Sequence, residues 1–127
     1  MTIRGFPGST DEVIALFGVA ADSSGLASTP ALPGKALLKR SYVRFNVDLA
    51  PDTPLFRMVQ AILDHMGGID RLSECLRRIE PEHIDIDLVL PVRDSPEQEG
   101  GFISPSSIAD LQRIGATLSF SFLDRRK

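Results

Sequence analysis

The pentapeptide His83-Ile84-Asp85-Ile86-Asp87 holds the residue types and spacing in this chain that are best suited to chemistry. Side chains two apart in an extended strand project from the same face, so an imidazole and two carboxylates would stand in a row there. Nitrogen and oxygen donors of this kind suit a hydrolytic zinc or another transition metal, which makes His83, Asp85 and Asp87 a candidate metal-ligand set. Asn46 and Asp48 lie on the polar side of a second expected strand and would join them if the strands were neighbours. The competing reading is a solvated sheet face whose acids pair with Arg44 across strands. The pattern favours that second reading, because a one-sided sheet needs polar residues outward whether or not they bind anything. Arg44, Asp48, Asp85 and Asp87 on such a face are also a candidate surface for a protein partner.

Other reactive groups lead to plainer readings. Cys75 falls at helical spacing with Leu72, Leu76 and Ile79, the position of an inert core thiol and not of an activated nucleophile. His65 is expected at the surface, and no motif links it to Cys75 or to a serine. Gly67-Gly68 and Gly100-Gly101 lack the Lys-Ser/Thr of a phosphate loop and read as turns. The helix N-terminus at Ser104 to Ser107 could receive an anion, but no cofactor is implied.

These residues must be held by a small scaffold. A chain of 127 residues is long enough for one core and short for two, so residues 1–127 are expected to form a single domain. Its apolar fraction of 43% and charged fraction of 24% are those of an ordinary globular protein. A net charge of −3 without a basic stripe argues against a nucleic-acid partner and favours basic ones. A lone cysteine permits no intramolecular disulfide, and no segment approaches bilayer-spanning length. The expectation is a soluble, cytoplasmic protein with no membrane partner.

Periodicity supplies the elements. A short strand is expected over Thr2 to Phe6, then a helix opened by the capping box Ser9/Glu12 and closed by Gly18. Residues 19–37, rich in Ala, Ser, Gly and Pro, read as a flexible loop. Ser41 to Leu49 alternates as a half-buried strand with Val43, Phe45, Val47 and Leu49 inward. Thr53 is expected to cap a helix with Pro54 in its first position and a stripe of Leu55, Val59, Ile62, Leu63 and Met66. Gly67-Gly68 should stop it before a second helix, whose inner face is Ile69, Leu72, Cys75, Leu76 and Ile79. His83 to Pro91 alternates again, with Ile84, Ile86, Leu88 and Leu90 inward, and Arg93 to Gly101 reads as a solvated loop. Ser104 should cap a last helix with Ile108, Leu111 and Ile114 inward, before a strand over Thr117 to Leu123 with Leu118, Phe120 and Phe122 inward. One apolar and one polar face per strand implies an α+β two-layer sandwich, with an approximately four-stranded mixed or antiparallel sheet and all helices on one face.

Ala15-Leu16-Phe17-Gly18-Val19, Gly34-Lys35, the apolar helical segment from Leu55 to Leu76, and the passage from Gly100-Gly101-Phe102-Ile103-Ser104-Pro105 through Ile114-Gly115 to the last strand have a familiar arrangement. From the first helix onward the chain resembles the bacterial domain-of-unknown-function family 4279. The resemblance implies a shape and a bacterial origin, and it carries no catalytic residues. The expected function is a non-catalytic protein-interaction module of antitoxin or immunity type, acting through the polar sheet face or the Arg93 to Gly101 loop. The alternatives are a small metal-dependent enzyme built on His83, Asp85 and Asp87, and a homodimer that buries the polar face or pairs an edge strand.

Overall fold

A computed structural model describes residues 1–28, 39–92 and 101–124. In chain order the elements are β1 (Thr2–Arg4), α1 (Thr10–Phe17), β2 (Ser23–Ser28), β3 (Lys39–Arg44), α2 (Leu55–His65), α3 (Ile69–Ile79), β4 (His83–Val92), α4 (Pro105–Ile114) and β5 (Thr117–Asp124). The strands form one five-stranded sheet in the order β2-β3-β1-β4-β5. β1 runs antiparallel to both of its neighbours, β2 is antiparallel to β3, and β4 is parallel to β5. Parallel neighbours need a crossover, and α4 provides it.

The expected alternation produces one greasy face. Ile3 pairs with Val43 on one side and Ile84 on the other, and all three are buried with Phe45, Ile86 and Leu88. The helices cover that face with Phe17 of α1, Leu63 of α2, Leu72 and Leu76 of α3, and Leu111 and Ile114 of α4. Phe17 meets Phe45 edge to face at 5.5 Å between ring centroids. Serine caps open α1 and α4, the first as the Ser9 half of the expected capping box. Ser9 Oγ accepts from the Glu12 N–H and Ser104 Oγ from the Ser107 N–H, while Gly18 and Gly115 close the two helices in the left-handed conformation. Arg71 of α3 donates to the Phe17 carbonyl at 3.0 Å, pinning the end of α1 against α3.

The sheet has five strands, not four. The extra one, β2, lies within the stretch expected to be a loop; it completes its hydrogen bonds on β3, and residues 29–37 of that stretch lie outside the described residues. β3 ends at Arg44 although its alternation continues in sequence, because the Asn46 N–H is taken by the Asp22 carboxylate at 2.6 Å. Leu49 is correspondingly exposed. α2 begins at Leu55 with Pro54 as its cap, since the Thr53 hydroxyl donates to the Ala50 carbonyl and so does not cap the helix. Besides Leu49, three residues expected inside are at the surface: Ile108 is 54% exposed, Phe120 46% and Phe122 69%. Residues 93–100 of the expected solvated loop also lie outside the described residues.

Leu63→Ala should lower the unfolding free energy by about 2–5 kcal/mol, since it leaves a cavity under fully buried packing. Ile108→Ala should change it by no more than about 0.5 kcal/mol. Urea unfolding of both variants checks the assignment of inner and outer faces.

Candidate functional site

The outward residues of β3, β1, β4 and β5 form a polar face that no helix among the described residues covers. Across β3, β1 and β4 one row reads Tyr42, Arg4, His83 and the next reads Arg44, Thr2, Asp85, which continues to Thr117 on β5. Asp85 and Asp87 thus share the face with Arg44, as the alternation required. Arg44 does not form the expected ion pair with them. It lies two strands from Asp85, roughly 10 Å at ordinary strand spacing, and its Nε donates instead to Thr2 Oγ1 at 3.3 Å. The ion pairs among the described residues lie on α3 and α4, joining Glu74 to Arg77 and Arg78, and Asp70 to Arg113.

The carboxylates take their partners from β5. Ser119 Oγ donates to Asp85 with Oδ1 at 2.9 Å and Oδ2 at 3.1 Å, and Ser121 Oγ donates to Asp87 with Oδ1 at 3.0 Å and Oδ2 at 2.9 Å. A hydroxyl has a single proton, so each serine shares it between two oxygens and fixes the carboxylate's orientation while leaving acceptor capacity toward solvent. In register Asp85 faces Thr117 and Asp87 faces Ser119, so each bond runs diagonally to the serine two residues on.

His83 stands exposed beside Arg4, beyond Asp85 and away from Asp87. Among the described residues no group of His, Cys, Asp and Glu is arranged to hold a metal ion, and the three expected ligands share a face without forming a ligand set. The strand rise explains this. His83 and Asp87 are four residues apart, about 13 Å along β4, whereas ligands of one zinc must each reach within about 2.1 Å of it.

An open concavity of about 760 Å³ is lined on one side by residues 46–51, the segment after β3, which forms its wall, and also by Asp85, Asp87, Ser119 and Ser121 of the face and by Met58 and Ile62 of α2. The wall is tied down at its base. The Phe45 N–H donates to the Met1 carbonyl, and the Met1 α-ammonium donates back to the Phe45 carbonyl at 2.7 Å. Burial holds that ammonium's pKa below its ordinary value; the positive charge of Arg44 lowers it further, against the opposing pull of Asp85, Asp87 and Asp22. Asn46 and Asp48 belong to this wall, not to a strand adjoining β4, since β1 intervenes.

The remaining candidates have structural roles. Cys75 is buried, with its thiol toward the Leu16 carbonyl at 3.8 Å, and His65 is exposed. Gly67 and Gly68 have φ of 96° and 93°, as a tight turn between α2 and α3 requires. Ser119 and Ser121 are the site residues that sequence reasoning missed. Their signal was a Ser-x-Ser at the same two-residue spacing as Asp85-x-Asp87, but only the parallel register joins the pairs.

Fold and face together define a two-layer α+β protein with a mixed five-stranded sheet, open on its polar side. Comparison of the chain with family models, with curated proteins and with solved structures found no match. Among the described residues no helix is long and apolar enough to cross a membrane.

Ser119→Ala should cost about 1–2 kcal/mol in urea unfolding, because it strips the half-buried Asp85 carboxylate of its hydroxyl donor. Ser121→Ala, beside the exposed Asp87, should cost clearly less. Equal losses would mean that the two bonds do not differ in burial as described.

Proposed function

We propose that the protein is a non-catalytic interaction module that docks a protein partner on its polar sheet face. The observation that carries this reading is the walled concavity, whose charges are divided across the sheet. Arg4 and Arg44 occupy the β1 and β3 side, Asp85 and Asp87 occupy the β4 side with their orientation fixed by serines, and Asp48 adds one acid in the wall that follows β3. A divided charge pattern selects a partner with the complementary division, presenting basic side chains to the acids and an acidic one to the arginines. The net charge of −3 biases approach toward basic proteins. A small acidic protein that occludes a basic functional surface on its partner fits an immunity or antitoxin role, exercised in the cytoplasm.

Isolation from the native host should return a stoichiometric protein partner that added salt releases. In the Asp85→Asn/Asp87→Asn double variant the affinity should fall by about tenfold to a hundredfold and lose most of its salt dependence. Recovery of the protein without an interactor, or binding indifferent to both substitutions, would remove the reading.

A further inference from the structure

We infer that two copies of this chain associate by antiparallel pairing of β5 with β5, with Phe120 at the twofold axis. β5 ends the sheet order: β4 satisfies one side of it along eight register pairs, and no strand among the described residues lies on the other. Edge strands of monomers are ordinarily guarded by charge, by proline or by a bulge. The one charge on β5 is Asp124 at its last position; Thr117 to Leu123 reads Thr-Leu-Ser-Phe-Ser-Phe-Leu, with neither charge nor proline, and its pairing to β4 is continuous without a bulge.

The core also runs out onto the surface at this strand. Leu88 of β4 is buried, yet Phe120, its register neighbour on the same face, is 46% exposed, and Phe122 beyond it is 69% exposed. At roughly 200 Å² for a whole phenylalanine, the two rings present about 230 Å² per copy, a substantial part of the ~800 Å² that each partner contributes to a standard interface. The unpaired strand backbone and the neighbouring side chains of Leu118 and Leu123 extend that area.

The strand's pattern names the occupant. Antiparallel pairing centred on Phe120 sets Phe122 against the second copy's Leu118 twice over, Ser119 against Ser121, and Thr117 against Leu123. Apolar faces meet apolar faces, and no charge is brought opposite another along the paired stretch. A twofold pairing closes on itself, whereas joining β5 to the other edge strand, β2, would leave free edges and grow open chains. The continuous sheet of the dimer keeps both polar faces on one side and open, so failure of this pairing is separable from failure of the partner-docking reading.

The test uses the full chain. Sedimentation over a wide concentration range should give twice the 13.9 kDa chain mass at high micromolar concentration. Phe122→Lys should weaken association by about tenfold or more with an unchanged far-ultraviolet circular dichroism spectrum. Because that substitution could also perturb β5, a second measurement fixes the register. In a Cys75→Ala background, Phe120→Cys should form a covalent dimer readily under copper–phenanthroline oxidation, and Phe122→Cys much more slowly. A wild-type chain that stays monomeric, with the rings covered by its own residues, would overturn the inference. So would a dimer indifferent to Phe122→Lys, or faster cross-linking at position 122 than at 120.

Discussion

Three residues of β1 hold the sheet together. Thr2, Ile3 and Arg4 pair with Val43 and its neighbours on one side and with Ile84 and its neighbours on the other, so among the described strands the β2-β3 pair and the β4-β5 pair are hydrogen-bonded into one sheet through this strand. Ile3, fully buried at the centre, is where the helix-covered layer is continuous from Val43 to Ile84. The same strand sets the geometry of the opposite face. Because Thr2 stands between Arg44 and Asp85, the Arg44 guanidinium is kept from that carboxylate by an intervening strand and donates to the threonine hydroxyl instead.

That separation decides what the face can do. An arginine paired to a carboxylate would have spent both charges internally, at a net worth near zero for exposed groups. Here Arg44 rests on a threonine hydroxyl and the carboxylates rest on serine hydroxyls, neutral partners that orient the charges without cancelling them. The wall of residues 46–51 adds shape, and it is anchored where the chain passes Met1.

Much of this was legible in the sequence. The strands with strict alternation, β4 above all, and the helices with cap residues at both ends, α1 and α4, lie where pattern and capping chemistry place them. β2 was not legible, because Ser23-Ser24-Gly25 carries almost no strand preference and becomes a strand by pairing with β3. Gly25 sits opposite Tyr42, where an added Cβ would come within 3.3 Å of the ring, so the weak strand former there also makes room. Alternation also overstated burial. It assigns a side to Phe120, Phe122 and Leu49 but cannot say how far the helix layer extends over that side. For the site, the sequence placed His83, Asp85 and Asp87 on one face correctly and suggested a ligand set that their spacing along the strand does not form. The serine partners depend on a parallel register, which no local pattern encodes.

Backbone amide hydrogen exchange, read by nuclear magnetic resonance, tests most directly whether β1 is the element on which the rest depends. The amides of Ile3 and Arg4 should be among the slowest in the molecule and should exchange only through global unfolding, together with those of Val43 and Ile84. Exchange of the β1 amides ahead of those in α3 or β4, through a local opening that leaves the remainder folded, would contradict a sheet joined through this strand.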